Sequence, residues 1–197
     1  MLQNFAEKLA NLACLGDARA IASLLSDESI DVNECDMHGD NALMLAAREG
    51  QLAVIETLAR FAPRIDAERR NGVGHTAAMA AANAGRIDAL RLLVARFAVD
   101  LLAFDDNDYA AIHLAAASGH ANVAAALVDE FGVHVDWCIG GSKTALHCAA
   151  QFGHADCVQA LLVRGAAVDA IDQRFRSTPL VSVAVAVADF TVGSFFF

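Results

Sequence analysis

Two histidines and two cysteines lie within eleven positions in the segment TALHCAAQFGHADCVQALLVRGA, residues 144–166. They are His147, Cys148, His154 and Cys157. Imidazole and thiolate are ligands that zinc prefers, and a cysteine beside a histidine can be activated as a nucleophile. The segment therefore raises a zinc site and a Cys–His nucleophile pair, against the alternative that all four residues are structural.

A related segment earlier in the chain contains the two histidines but not the two cysteines. At a shift of 34 residues, AIHLAAASGHANVAAALVDEFG (111–132) aligns with it and keeps the two histidines as His113 and His120. Leu114 and Val123 stand where the cysteines should be. A metal site or a catalytic pair would need all of its members. We therefore interpret the cysteines as small buried hydrophobic residues and predict no metal ion, no cofactor and no catalytic residue.

Length, composition and charge restrict the class of protein. The chain has 197 residues, enough for one ordinary domain with a core, and 56% of them are apolar. Much of that fraction is alanine, which suits closely packed helices better than strands. There are 24 acidic and 14 basic residues, for a net charge of -10. A polyanion would be repelled on average, so we expect no nucleic-acid partner.

The cysteines and the N-terminus indicate where the protein works. The number of cysteines is five, which is odd, and their spacing is irregular, so they do not form a disulfide framework. The first residues, MLQNFAEKLANLACLGD, lack the basic region and the long apolar core of a signal peptide. These features predict an intracellular protein of the cytoplasm, and we expect no membrane association.

The whole chain repeats at a nearly constant period. Glycines recur at positions 16, 50, 85, 119 and 153, in steps of 34 or 35 residues. Asn41, Thr76 and Thr144 precede alanine-rich segments that lead to three of these glycines, and Thr178 begins the corresponding segment of the last repeat; each of these residues can cap a helix. We predict that each glycine ends a short helix in the left-handed conformation and that a second helix follows. Such helices are too short to be stable alone, so neighbouring pairs must bury their faces against one another.

The residues of the opening segment carry a family resemblance. It is similar to the ankyrin repeat at Thr144, Leu146, His147, Ala149, Ala150, Gly153, His154, Val158, Leu161, Leu162, Gly165 and Ala166. The resemblance implies an all-α fold, an ankyrin-repeat solenoid of stacked helix-turn-helix units with β-hairpin loops. We divide residues 1–197, as a single array, into repeats 1–35, 36–70, 71–104, 105–138, 139–171 and a partial repeat 172–197.

The same resemblance implies a non-catalytic interaction module or scaffold that holds a partner protein in a concave groove. Loop tips and inner helices would line that groove. The tip candidates are Met37, His38, Asp40, Val73, His75, Asp106, Asn107, Tyr109, Lys143, Arg174 and Phe175. The candidates at the ends of the inner helices are Arg48, Glu49, Asn83, Ser118, Gln151 and Phe152.

Two aromatic residues stand out among these candidates. Tyr109 and Phe152 occupy positions that usually face solvent, and aromatic side chains often dominate binding energy. We hypothesise a groove centred on them over the third to fifth repeats. The alternative is that each ring packs on an adjacent loop. Acidic residues nearby, Asp105, Asp106 and Asp108, would favour a partner with a basic segment.

Three arginines and two cysteines outside the repeats' shared positions suggest weaker hypotheses. Arg64, Arg69 and Arg70 cluster before the third repeat, where we expect them to solvate a turn, with an acidic partner segment as the alternative. Cys14 and Cys35 have no basic neighbour in sequence that would indicate a reactive thiolate.

The C-terminal stretch departs from the pattern. STPLVSVAVAVADFTVGSFFF begins as a repeat should, but Val187 stands where the glycine is expected. The tail could be the cut end of a longer array, the start of a membrane segment or a strand-prone end, and we favour the first. The alternative function follows from it: a regulatory or substrate-recruiting part of a larger enzyme or channel.

Overall fold

Paired short helices build the part of the chain that the computed structural model describes, residues 5–139, 141–174 and 176–180. They fall into two compact units divided between Asp106 and Asn107. The N-terminal unit contains α1 (Phe5–Leu15), α2 (Ala18–Leu25), α3 (Ala42–Glu49), α4 (Leu52–Ala59), a 3-10 turn (Ala62–Arg64), α5 (Ala77–Asn83) and α6 (Ile87–Phe97). The C-terminal unit contains α7 (Ala111–Ala117), α8 (Ala121–Asp129), α9 (Ala145–Gln151) and α10 (Ala155–Val163).

The sequence signals for helix ends are confirmed at Asn41, at Thr76 and at the glycines, whereas the side chain of Thr144 makes no capping bond to the backbone. The side chain of Asn41 accepts a hydrogen bond from the backbone N–H of Met44 over 2.9 Å and begins α3. Gly50 ends that helix with φ at 75°, and Gly119 and Gly153 follow α7 and α9 with φ at 81° and 74°. A side chain on these residues would be strained in the left-handed region, which is why glycine recurs there.

Each unit has a core made of two layers of helices. In the N-terminal unit, α3 packs between α1 and α5, while α4 packs between α2 and α6. In the C-terminal unit, α7 packs on α9 and α8 packs on α10. The inner helices bury alanines almost completely, as at Ala46, Ala81 and Ala115. Small side chains let the backbones of neighbouring helices approach closely, which explains the high alanine content.

The loops differ from the implied β-hairpins. In the described residues, pairing between extended segments is limited to isolated bridges, Cys35 with Asn41 and Asp172 with Ser177. A side-chain oxygen organises the tip instead: Asp36 Oδ1 accepts from the backbone N–H groups of His38 and Asp40 over 2.8 and 3.0 Å. Short loops of this kind are closed by aspartate or asparagine turns, which leaves little backbone for a ladder.

The predicted tail, residues 181–197, lies outside the described residues. Within the part of the chain that is described, none of the helices has the length and apolar character that crossing a membrane requires. The division into six repeats stays a prediction.

Candidate functional site

The cysteines of the opening segment are buried, as predicted. Cys148 is 1% exposed and Cys157 is fully buried. Burial raises the pKa of Cys148 to about 12 and raises that of Cys157 as well. A thiol that stays protonated at neutral pH is a poor nucleophile and a poor metal ligand. Among the described residues, three or more histidine, cysteine, aspartate or glutamate side chains do not gather as a metal site would require.

The histidines of this segment hold backbone groups. His147 is fully buried; its Nδ1 lies 3.2 Å from the backbone nitrogen of Thr144, and its Nε2 lies 3.1 Å from the carbonyl oxygen of Ser177. Since a carbonyl can only accept, Nε2 carries the proton and Nδ1 accepts from the backbone N–H. His154 likewise donates from Nε2 to the carbonyl oxygen of Ala117 over 2.9 Å. Both rings are therefore structural connections.

Several predicted contact residues of the N-terminal unit are exposed. Met37 is 93% exposed and Val73 is 51% exposed, both at loop tips. The other exposed candidates are His38, Arg48, Glu49, Asn83 and Asp106. These side chains are accessible to a partner, and their role in binding stays a prediction.

Two candidates of this unit are engaged inside the protein. Asp40 was expected at an exposed tip, but it is only 4% exposed. Its carboxylate accepts hydrogen bonds from Arg48 and Asn71, both over 2.7 Å, so the expected position needs correction. His75 is half-buried, and its Nε2 lies 3.1 Å from Oδ2 of the buried Asp105.

The arginine cluster does not simply solvate a turn, which corrects the sequence-based expectation. Arg64 donates hydrogen bonds to the carbonyl oxygens of Leu25 and Ile30, over 3.1 and 2.5 Å. It therefore supplies donors to backbone carbonyl groups at the end of α2 and in the loop that follows. The other two arginines bond to side chains: Arg70 pairs with Asp106 over 3.0 Å, and Arg69 donates from Nε to a cysteine sulfur. All three guanidinium groups therefore have partners within the unit.

That sulfur belongs to Cys35, which has no basic neighbour in the sequence. The distance from Arg69 Nε to Cys35 Sγ is 3.0 Å, and the two residues are 34 positions apart. The separation equals one repeat period, which is the signal that could have paired them. Other contacts between neighbouring repeats span similar separations, such as Gln51 with the carbonyl of Cys14 at 37 positions.

The C-terminal unit contains a polar cavity beside Tyr109. Its volume is about 220 Å³, and its lining residues are Asn107, Asp108, Tyr109, Ser142, Lys143, Asp172 and Arg174. Four of these, Asn107, Tyr109, Lys143 and Arg174, were predicted as contact residues. The sequence reasoning missed Asp172, which is fully buried and accepts from the backbone N–H of Arg174 over 2.8 Å. The signal for it is the aspartate or asparagine that starts the earlier tips, as at Asp36 and Asn71.

The two aromatic candidates differ in their surroundings. The half-buried Tyr109 stacks on His113, with ring centroids 6.0 Å apart and an angle of 22° between the planes. Phe152 is 54% exposed at the end of α9. Part of the Tyr109 surface is therefore buried by packing within its own unit, while Phe152 exposes about half of its surface to solvent.

The cavity and the end of α9 are joined by a hydrogen bond. Lys143 lines the cavity, and its Nζ donates to Oε1 of Gln151 over 2.5 Å, next to Phe152. Ser118, at the end of α7, is half-buried. Phe175, the remaining tip candidate, lies outside the described residues.

The acidic residues near Tyr109 are not equivalent. Asp105 and Asp106 are paired inside the N-terminal unit, with His75 and Arg70. Asp108 is exposed on the cavity and has φ at 65°, in the left-handed region that aspartate tolerates better than most residues. Of the three carboxylates that suggested a basic partner, Asp108 is therefore the one that is exposed at this cavity.

Comparison with known families matches much of the chain to ankyrin repeats. The model described as ankyrin repeats in three copies matches residues 61–137 and again residues 98–173. The two matches together run from 61 to 173, which is more than half of the 197 residues. With the paired helices of both units, the match confirms the predicted all-α repeat fold.

Proposed function

The chain belongs to the ankyrin-repeat family, and from that premise we propose that it is a non-catalytic module whose C-terminal unit binds a partner protein. Repeats of this family generally serve in protein–protein interaction, and such domains are typically non-catalytic. A scaffold role and the nature of the partner are the finer parts of the proposal. The free thiols of all five cysteines support a reducing compartment such as the cytoplasm.

The observation that carries the proposal is an exposed aromatic side chain, Phe152, in the same unit as a preformed cavity, whose lining residue Lys143 is hydrogen-bonded to the adjacent Gln151. Phe152 leaves about half of its surface in solvent, and the cavity beside Tyr109 offers about 220 Å³. An exposed ring can bury apolar area against a partner, while a cavity with polar walls fixes the orientation of one side chain. Tyr109 is held in place by its stacking on His113, so little ordering entropy opposes binding there.

Charge supports a basic segment in the partner. The net charge of -10 attracts cations at long range, and Asp108 places a carboxylate at the mouth of the cavity. Lys143 and Arg174 also line the cavity, so the local charge is mixed. In this proposal the basic segment of the partner steers and orients its approach, and the aromatic contact contributes most of the binding free energy.

The test starts from a displayed peptide library selected on the whole chain, followed by titration of the enriched peptides. Phe152→Ala should weaken their binding by about 1–3 kcal/mol, and Tyr109→Ala with Phe152→Ala by about 2–4 kcal/mol, as for anchor residues. Val163→Ala is the matched control, because Val163 is an exposed apolar residue of the same unit on α10. It should leave the affinity unchanged.

A denaturant melt of each variant separates binding from folding. Phe152→Ala should melt as the wild type does, because its ring is 54% exposed. If the enriched peptides bind the Phe152→Ala and Val163→Ala variants equally well, the surface is wrongly placed. Asp108→Asn keeps a residue that tolerates the left-handed conformation and removes the charge. It should slow association of basic peptides at low salt, and an unchanged rate would remove the basic segment from the proposal.

A further inference from the structure

One valine position in the loops between repeats has two opposite environments. The loops that follow α2, α8 and α10 each contain a valine before an asparagine or aspartate, at positions 32–33, 135–136 and 168–169. Val32 is 4% exposed and Val135 is 7% exposed, whereas Val168 is 61% exposed. The sequence therefore supplies the same apolar residue in all three loops, but the last of them leaves it in water.

The loop of the following repeat docks beside each buried valine. Next to Val32, Oδ1 of Asn33 accepts from the backbone N–H of Asp66 over 2.8 Å, 33 positions later. Next to Val135, Oδ1 of Asp136 accepts from the backbone N–H of Ala167 over 3.0 Å, 31 positions later. A buried valine at this position therefore goes together with a covering segment from the next part of the chain.

Two more apolar side chains around α10 are exposed where their equivalents are not. Ile171 is 61% exposed, whereas the equivalent residues Cys35 and Cys138 are half-buried. Leu162 is 40% exposed, whereas Val128, at the same position of α8, is half-buried. Burying apolar surface of this kind lowers the free energy, so a covering segment would be favoured here too. The name end face is used below for Leu162, Val168 and Ile171.

Residues 181–197 have the composition and the reach to cover the end face. Their one charged side chain is Asp189, and they include four phenylalanines, at positions 190 and 195–197. The backbone N–H of Asp172 donates to the carbonyl oxygen of Ser177 over 2.9 Å, which holds the chain that leads into this segment beside Ile171. From there, the segment spans up to about 55 Å when extended, so its length does not restrict the contact.

We propose that the end face is a docking surface for residues 181–197 of the same chain. Charge and tethering favour this occupant over a second copy of the protein. Two copies with a net charge of -10 each repel one another. A segment joined to the face by a short connection is present there at an effective concentration on the order of millimolar. The contact withdraws both apolar surfaces from water, and it does not depend on the binding of a partner at Phe152.

A first experiment measures how fast chymotrypsin cleaves the full chain after Phe190. Cleavage requires the segment to leave the end face, so its rate follows the population of the open form. Val168→Glu with Ile171→Glu places two charges in the contact and should raise the rate about tenfold or more. Met37→Glu with Val73→Glu is the matched control, because it adds the same charge at exposed apolar residues of the N-terminal unit. It should leave the rate unchanged.

Both double variants should keep the fold, because all four side chains are exposed in the structure. The helical circular dichroism of each variant checks this. An unchanged rate of cleavage after Phe190 in a folded Val168→Glu, Ile171→Glu variant would overturn the proposal.

A second experiment identifies what lies on the end face. The photo-reactive residue p-benzoylphenylalanine replaces Val168 in the full chain, and an equal mixture of unlabelled and isotope-labelled protein is irradiated. Mass spectrometry should find cross-links from position 168 to residues 181–197 of the same chain. The same replacement at the exposed Met37 is the control and should give no cross-link to this segment. Cross-links that join labelled to unlabelled chains would place a second copy on the end face, and the absence of any cross-link to residues 181–197 would leave the face uncovered; either result contradicts the proposal.

Discussion

The inner helices of the two units begin at equivalent positions of the repeat but are held by different side chains. In the N-terminal unit, Thr76 accepts with its hydroxyl from the backbone N–H of Met79 over 3.4 Å, as Asn41 does at α3. In the C-terminal unit the roles are reversed. His113, at the position of Met79, accepts with Nδ1 from the backbone N–H of Ala110 over 3.1 Å. The hydroxyl of Thr76 therefore satisfies the N–H of the third helical residue, whereas the ring of His113 satisfies the N–H of the residue that precedes the helix.

Connections between neighbouring helix pairs differ in the same way. The residue after the glycine donates to a carbonyl of the preceding pair in both units. In the N-terminal unit this residue has a long, flexible side chain: Gln51 donates to the carbonyl oxygen of Cys14, and Arg86 donates to that of Arg48. In the C-terminal unit it is the ring of His154. A long chain can shift when its surroundings change, whereas a planar ring in contact with the backbone has few alternatives.

The largest effect should come from removing the ring of His113, which accepts a backbone hydrogen bond at the start of α7. His113→Met gives α7 the residue found at Met79, but Ala110 has no side chain that could cap the helix. The buried N–H of Ala110 then loses its acceptor, and we expect the free energy of unfolding to fall by about 2–3 kcal/mol. Denaturant melts at neutral pH measure it. Adding Ala110→Thr recreates the Thr76–Met79 arrangement and should recover about 1 kcal/mol. If no stability returns, a hydroxyl that accepts from the N–H of residue 113 does not offset the acceptor lost by the N–H of residue 110.

A smaller effect on the free energy of unfolding should distinguish a glycine that lies against a rigid ring from one that lies against a flexible side chain. A Cβ added at Gly119 would lie 2.8 Å from the His154 ring, whereas at Gly50 it would lie 3.1 Å from the side chain of Arg86. Both have positive φ, so the backbone strain of an alanine is similar. We expect Gly119→Ala to cost about 1–2 kcal/mol more than Gly50→Ala, because the ring cannot move aside as the arginine can.

Gly153→Ala supplies the reference for strain alone, because a Cβ there would meet nothing within 4 Å. Its melt should resemble that of Gly50→Ala. Equal losses at Gly119 and Gly153 would show that His154 yields as readily as a flexible side chain does.

The smallest effect concerns alkaline pH in the C-terminal unit. The pKa of Cys148 is raised from its ordinary value of 9.0 to about 12 by burial. The unfolded chain therefore ionises first, and the stability from keeping this thiol protonated is complete below pH 9 and lost as pH rises towards 12. From pH 8 to pH 10 the wild type should lose about 1 kcal/mol more than Cys148→Ala, as measured by urea melts. Equal losses would place Cys148 in contact with water.

The repeat itself was predictable because its causes are local. The period of the glycines, the left-handed helix ends and the apolar positions of Cys148 and Cys157 follow from rules that act within a few residues, and the structure confirms them. The comparison of each repeat with its neighbour also showed that the histidines recur without the cysteines. This recurrence favours structural roles for the histidines and for the cysteines.

Tertiary structure decided which polar side chains are used up inside the protein. Asp40 is buried because Arg48 and Asn71 converge on it, and Cys35 meets an arginine 34 positions later. Of the two aromatic candidates, Phe152 is exposed and Tyr109 is half-buried, since the ring of Tyr109 stacks on His113 of α7. These outcomes depend on side-chain distances between neighbouring repeats. Residue types in a single sequence restrict which contacts are possible, but only the packed backbone brings the atoms within hydrogen-bonding reach.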